Sequence, residues 1–522
     1  MSIKHKVIEQ NKCLSKSILW QLQRDYFDRE GVNAWSGYVP YFVTSNTYIA
    51  NCYANIVVNF FRDCLDKDPD TAKHPFYILE LGTGSGQLSF YVLKRIKEIC
   101  AQLQLNHVKF TYVMTDFTES NLQFWQSQPA LKKFVDEGVL DFAIYNMEED
   151  QEINLITKGI TLSNETVMNP VVVFANYIFD TIAHDCFSIK NNKLHEVTLK
   201  ITTDKDNIAD KKVVDMERLH IDFEEHEIKD RYYEEDAFND ILQGYKDTLV
   251  DAKILLPVSS LRSIVKLRDI SNDKLLIISS DKGYNSLSQL TNLNYPHFSF
   301  HGSFSLMVNF HAIGQYFTRT GGDCFIQTPR DGIKTCVFSS GLRFSELPST
   351  KYAIDQYVEE FSPADYFIIH RYVSDTYKDA KLDTLASYLV LTGYDPYMYN
   401  RLHERIHSQL EDADTAVLAH LLNSLPKIAD NFYYTPSAHD LMFDIAYVYQ
   451  TVKRYSEACE YYQKSIDIFG RKFGSLYNLA ISQYHLGKTQ ESLEYFKAAE
   501  AMNPDEKYAQ FVKEWMELLS QG

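Results

Sequence analysis

The stretch from Phe76 to Lys94, FYILELGTGSGQLSFYVLK, constrains the fold of this chain more than any other. Tyr77-Ile78-Leu79-Glu80-Leu81 is a short apolar run with β-branched and aromatic residues, which suits a strand covered on both faces. Gly82, Gly84 and Gly86 break the run. From Gln87 to about Leu103 the period turns helical, with Leu88, Tyr91, Val92 and Ile96 on one face. Glycine lets the backbone adopt φ > 0 and lets a ligand approach with no Cβ in the way. The helix amino terminus adds free N–H donors. Strand, glycine turn and helix together predict a ligand cradle.

The spacing narrows the ligand. A dinucleotide cradle favours G-x-G-x-x-G, which seats a pyrophosphate on the helix terminus. Here the pattern is Glu-x-Gly-x-Gly-x-Gly, and Glu80 would repel a pyrophosphate. An acid at that place suits a cofactor bearing an ammonium and a sulfonium. The motif resembles the first motif of class I S-adenosylmethionine methyltransferases; a plain strand–turn–helix with tight-turn glycines is the bland alternative.

Further strands follow the glycine helix. Val108 to Met114 ends at Thr115-Asp116, where an acid would accept both ribose hydroxyls or, alternatively, cap the next helix. Leu140 to Tyr145 is followed by Asn146-Met147-Glu148, and Pro170 to Ala175 by Asn176-Tyr177-Ile178-Phe179-Asp180. Phe187 to Leu199, centred on Asn191-Asn192, reads as a hairpin. Residues 202–250 are heavily charged and read as surface helices or an insertion. Leu275 to Ser280, Phe325 to Gln327 and Thr335 to Phe338 complete the strands. Strands alternating with helical stretches predict a doubly wound, mostly parallel sheet. Residues 1–75 read as mainly helical, with an aromatic loop, Trp35 to Tyr41, that would cover the cofactor or form a satellite apolar cluster.

The blocks Tyr41-Phe42-Val43-Thr44-Ser45, ELGTGSGQL, ANYIFDTIAHDCF, LLIISSDKG and HGSFSLMVNF occur in an order similar to MidA-like methyltransferases. That family includes a mitochondrial assembly factor that methylates an arginine of respiratory complex I. The resemblance covers about residues 35–340. It implies S-adenosyl-L-methionine as cofactor, held by Glu80, Gly82, Thr83, Gly84, Gly86, Gln87, Asp116, Asn146, Met147 and Asn176. Asn176, Tyr177 and Asp180 would face the acceptor as the catalytic group. Two residues depart from the pattern: Tyr177 stands where the family has a glutamate, and Lys282 where it has a tyrosine. A neutral phenol cannot make the bidentate contact a guanidinium favours, so arginine is expected to be a poor acceptor.

From about residue 350 the strand pattern stops. Ala380 to Val390 and Tyr399 to Leu410 read as helices, and an internal repeat follows. Ala446, Tyr449, Ala458 and Tyr462 are answered by Ala480, Gln483, Ser492 and Phe496, each 34 residues on, which resembles a tetratricopeptide (TPR) array. Pro504 falls where a repeat ends, and Tyr508 to Leu519 would cap the array. His403-Glu404-Arg405-Ile406-His407 matches H-E-x-x-H, but no third ligand follows in sequence, so a surface helix with no metal is expected.

The fold class expected is therefore α/β, a Rossmann-like class I methyltransferase domain followed by an all-α TPR-like region. The boundaries expected are 1–75 for a helical lid segment, 76–345 for the methyltransferase domain, 346–430 for degenerate helix pairs and 431–522 for the repeats. Net charge is −18, which disfavours a broad nucleic-acid interface. No run approaches the ~20 apolar residues of a membrane span. The eight cysteines form no C-x-x-C pair and read as reduced thiols of a cytoplasmic protein, with export by a specialised, non-cleaving system the alternative. Repeats usually engage macromolecules, so a protein substrate is expected. The rivals are a small-molecule methyltransferase and a non-catalytic assembly scaffold that keeps the fold.

Overall fold

Two compact units, 1–369 and 370–522, make up the chain, and the computed structural model describes residues 5–36, 45–204, 207, 214–502 and 505–520. The strands of the first unit are β1 (His5–Cys13), β2 (Phe76–Glu80), β3 (Phe110–Asp116), β4 (Leu140–Ile144), β5 (Val171–Asn176), β6 (Asp185–Lys190), β7 (Lys193–Asp204), β8 (Leu219–Glu227), β9 (Asp251–Leu256), β10 (Leu275–Tyr284), β11 (Asp323–Ile326) and β12 (Ile333–Ser340). Its helices include α1 (Ile18–Glu30), α2 (Thr47–Lys67), α3 (Gln87–Gln102) and α4 (Glu119–Ser127).

The eight-stranded sheet has the order β11-β12-β10-β5-β2-β3-β4, with the short strand Val308–Asn309 also pairing to β10. β10, β5, β2, β3 and β4 are mutually parallel, whereas β12 pairs antiparallel with β10 and the edge strand β11 pairs antiparallel with β12. Every residue of β2 and of β3 is buried, as expected for strands covered on both faces. From β2 the chain builds outward through β3 to β4, then returns to lay β5 on the other side of β2. That reversal opens a crevice beyond the carboxyl ends of β2 and β5, the place where open α/β sheets bind ligands.

A second, five-stranded antiparallel sheet has the order β1-β7-β6-β9, with β8 also pairing to β7. Asn191 and Asn192 join β6 to β7 with φ of 52° and 57°, the doubly left-handed two-residue turn that suits strand twist. Two strands of this sheet correct the sequence reading. Residues 5–13, expected within a helical segment, form β1, whose register slips between Val7 and Glu9 and between Gln10 and Lys12. The charged stretch 202–250 supplies β8 and the helix Asp236–Thr248, which buries Phe238, Ile241, Leu242 and Tyr245. Leu219 is buried and Ile221 and Phe223 pack against the same apolar cluster, a period of two that the intervening charges obscure. Of the expected aromatic loop, residues 37–41 lie outside the described residues, as does Pro504.

The second unit is helical. Among its helices are Leu382–Leu391, Pro396–His407, Thr415–Asp430, Leu441–Thr451, Tyr455–Phe469, Phe473–His485, Thr489–Glu500 and Glu506–Ser520. Ala446, Ala458, Ala480 and Ser492 are fully buried, which lets paired helices approach closely. The Ser492 hydroxyl donates to the carbonyl of Ala480 at 2.8 Å, tying one pair together. Tyr462 and Phe496 are also fully buried, and Trp515 of the last helix stacks on Phe496.

Candidate active site

The turn after β2 places Gly82, Gly84 and Gly86 at φ of 59°, 62° and 83°, a left-handed conformation that side chains disfavour. A Cβ at Gly82 would lie 2.6 Å from Ile178 Cδ1. Trp125 of α4 donates its indole N–H to the Gly84 carbonyl at 2.8 Å. The turn borders a cavity of about 310 Å³ lined by the ends of β2, β3, β4 and β5, by α1, and by Lys282 and the segment 299–305.

Of the sequence-predicted residues, Glu80, Gly82, Thr83, Asp116, Asn146, Met147, Asn176, Tyr177 and Asp180 line this cavity. Gly84, Gly86 and Gln87 shape the turn and helix behind it and do not line it. Gln87 Nε2 donates to the Tyr91 hydroxyl at 2.9 Å.

Glu80 is 5% exposed, and its Oε2 accepts from the Tyr112 hydroxyl at 2.6 Å and from the Ser89 hydroxyl. Burial raises its pKa to about 7, against the smaller lowering from those two bonds. No cation is paired with it among the described residues, so a carboxylate is held in a position suited to a cationic ligand.

Asp116 is committed differently. Oδ1 accepts from the Thr118 N–H and hydroxyl, each at 3.1 Å; Oδ2 accepts from Asn121 Nδ2 at 2.9 Å and from the Gly84 N–H at 3.3 Å. Its roughly four acceptor positions are thus occupied. These bonds tie it to Thr118, which precedes α4, to Asn121 and to the glycine turn, and a ribose hydroxyl would have to displace one of these donors. The Asn121 amide oxygen beside it is buried, lines the cavity and has no partner among the described residues.

Asn176, at the end of β5, has a fixed orientation. Its Oδ1 accepts from the Tyr53 hydroxyl at 2.6 Å and from the Ser280 N–H at 3.2 Å, which leaves the buried Nδ2 without a partner among the described residues. Tyr53 comes from α2, well upstream of the glycine motif. No signal in the sequence connects it to Asn176. Tyr177 follows at φ 48°, an uncommon backbone state for a bulky residue that clusters at functional sites.

Asp180 faces Asp281 of β10. The Asp180 N–H donates to Asp281 Oδ2 at 3.1 Å, and both carboxyl groups are buried. Burial pushes both pKa values up; Asp180 moves to about 7, and the neighbouring Asp180 charge raises Asp281 further. Two buried carboxyl groups this close do not ionise together, so the pair holds one proton between them near neutrality. Lys282 lines the cavity beside them and favours the Asp180 anion.

Tyr145 OH, Asn121 Oδ1, Asn176 Nδ2 and Asp180 Oδ1 are buried polar atoms without partners among the described residues, and all four residues line the cavity. Such atoms carry a desolvation cost of about 1–3 kcal/mol each, which a polar ligand relieves. With Glu80 for an ammonium and Met147 as an apolar wall, the donor set fits an amino-acid-bearing nucleoside.

Residues 54–249 match the model of a family described as putative S-adenosyl-L-methionine-dependent methyltransferase. Over this segment the chain is similar to that family. Residues 439–470 and 473–506 match the tetratricopeptide repeat. No curated protein matches the chain significantly. Among solved structures, an uncharacterized protein from Burkholderia thailandensis aligns at 13% identity over 62% of this chain and 92% of that one, with a TM-score of 0.35. A second protein from that organism, bound to S-adenosyl-homocysteine, aligns at 12% identity over 62% and 93%, with a TM-score of 0.34. Magnesium protoporphyrin IX methyltransferase from Synechocystis PCC 6803, with S-adenosyl-homocysteine bound, aligns at 10% identity over 61% and 98%, with a TM-score of 0.28. Scores this low carry no argument about this chain. The methyltransferase domain takes S-adenosyl-L-methionine as its cofactor, in keeping with the family match.

Proposed function

We propose that this methyltransferase is active, that its acceptor is a protein recruited by the TPR repeats, and that Asp180 is the general base. The observation that carries the reading is the Asp180–Asp281 carboxyl pair at the edge of the cavity. When bound, S-adenosyl-L-methionine supplies an electrophilic methyl group on a sulfonium. Glu80 would hold the cofactor's ammonium, the unpartnered Asn121 amide oxygen a ribose hydroxyl, and Met147 the adenine face. Asn176 Nδ2, held outward by Tyr53 and Ser280, would orient the acceptor. Asp180 takes the proton that the acceptor atom sheds as that atom's lone pair turns to the methyl carbon. The proton the two carboxyl groups already share stays with the pair, which keeps it from carrying two negative charges.

Arginine fits this site poorly. Lys282 places an ammonium at the cavity wall, and Tyr177, whose burial raises its pKa, presents a neutral phenol. A guanidinium would meet a cation and find at most one anionic carboxylate. A lysine delivered neutral, a carboxamide or a hydroxyl suits the arrangement better.

The test is transfer of a labelled methyl group into lysate proteins of the source cell, followed by mass spectrometry of the modified residue. Wild type should label a protein at a residue other than arginine, with rates rising as pH increases through about 7, because the base must be unprotonated. Asp180→Asn should slow transfer by about 10²–10⁴-fold. Deleting residues 431–522 should abolish labelling while calorimetric binding of S-adenosyl-homocysteine persists. A protein that binds cofactor but labels nothing would favour the scaffold role instead.

A further inference from the structure

The H-E-x-x-H sequence on the helix Pro396–His407 suggests His403 and His407 as a ligand pair, but the fold separates their roles. His407 Nε2 lies 3.0 Å from the Thr451 hydroxyl, and that hydroxyl donates to the Tyr447 carbonyl at 2.8 Å. The hydroxyl therefore accepts, so His407 Nε2 carries a proton and has no lone pair to offer. Its ring is stacked on Tyr447 at 4.5 Å.

His403 is in the opposite state. Its Nδ1 lies 2.6 Å from the Asn400 carbonyl, which can only accept. Nδ1 must hold the proton, so Nε2 of the neutral ring presents its lone pair. A backbone carbonyl on the far nitrogen is the arrangement that orients metal-binding histidines. Nε2 faces Asp444, on the first turn of the helix Leu441–Thr451, at 3.9 Å from Oδ2. His439, just before that helix, places its Nε2 2.7 Å from the same oxygen.

We propose that His403 Nε2, His439 Nε2 and Asp444 form a binding site for a zinc-class divalent ion. The three ligand atoms lie within 4.8 Å of one another, a grouping found among the described residues. Neighbouring ligands on a tetrahedral ion with bonds of ~2.0–2.1 Å sit about 3.3 Å apart. The separations of 2.7 and 3.9 Å bracket that value, so small side-chain rotations would seat the ion. Two imidazoles and a carboxylate are borderline and hard ligands that suit Zn²⁺, with a fourth position left to water. His439 is exposed, so the proton that Nε2 gives up to admit the ion can return from solvent to Nδ1. The ion would link the helix Pro396–His407 to the segment that opens the first sequence-matched repeat, clamping the chain between residues 403 and 444.

Untagged full-length protein, stripped with chelator, is titrated with Zn²⁺ by calorimetry and with Co²⁺ by visible absorption. One equivalent should bind, with the intense d–d bands of a tetrahedral site, and Zn²⁺ should raise the melting temperature. His403→Ala, His439→Gln and Asp444→Asn should each weaken binding at least about 100-fold, beyond the loss typical of outer-shell changes. His407→Ala should leave stoichiometry and spectrum unchanged. His439→Gln alters an exposed loop side chain, so its loss of binding cannot be assigned to misfolding. Absence of saturable binding, or binding that survives His439→Gln or disappears in His407→Ala, would overturn the assignment.

Discussion

Replacing Glu80 by glutamine should stabilise the protein and disable it at the same time. Among the described residues, the buried Glu80 carboxyl is bonded by the Ser89 and Tyr112 hydroxyls, both on Oε2. An amide oxygen in that place keeps both bonds and removes the charge. Burial lifts the carboxyl from its ordinary 4.5 to about 7. At about 1.4 kcal/mol per decade of acidity, ionising it in the folded protein costs about 3 kcal/mol. The sign follows from proton binding. Between pH 4.5 and 7 the folded state holds a proton that the unfolded state has released, so stability falls as pH rises through that window. The penalty is absent below 4.5 and complete above 7. Glu80→Gln should therefore match wild type at pH 4.5 and exceed it by up to about 3 kcal/mol at pH 8. Urea unfolding followed by tryptophan fluorescence reads this directly, since Trp125 is hydrogen-bonded to the glycine turn. The same variant should lose calorimetric binding of S-adenosyl-homocysteine, because an amide cannot neutralise an ammonium. Equal stability at both pH values would refute the burial argument, and undiminished cofactor affinity would refute the assigned role.

Two further variants probe the frame around the cavity. Gly82→Val should cost about 1–2 kcal/mol of stability from its left-handed φ alone and weaken S-adenosyl-homocysteine binding, because the new side chain meets Ile178; urea unfolding and calorimetry check both. Tyr53→Phe removes one of the bonds that hold Asn176 in place and should lower kcat with little change in cofactor affinity, read by steady-state kinetics against direct binding.

Features that depend on local chemistry were legible in the sequence. The glycine turn declares itself because three positions need φ > 0 within five residues, and only glycine adopts that cheaply. Asn191-Asn192 marks its hairpin because asparagine, after glycine, enters the left-handed region most readily. The repeats are legible because small residues must recur wherever helices of a pair touch, as Ala446 and Ala480 do. β1 and β8 were not legible. Both belong to an antiparallel sheet; β8 alternates apolar with polar or charged residues and β1 carries only Val7 and Ile8 ahead of a polar run, so no continuous apolar run announces them.

The cavity was legible in outline but not in its protonation and hydrogen-bond state. Glu80, Asn176 and Asp180 sit at strand ends, where α/β topology puts functional groups, and the chain order points to them. What determines their chemistry is supplied from elsewhere: Tyr53 from a helix that precedes the motif, and Asp281 from a strand about a hundred residues later. Asp116 shows the limit most clearly. An acid at the end of a second strand reads as a ribose ligand or as a helix cap, and the donors that surround its two oxygens, from Gly84, Thr118 and Asn121, are set by the fold. The same holds for His403, whose sequence partner His407 turns to Thr451 while His439 and Asp444 approach it through the packing of two helices. Spacing along a chain predicts which side chains share a helix face; the partners that set a proton's position come from the tertiary fold.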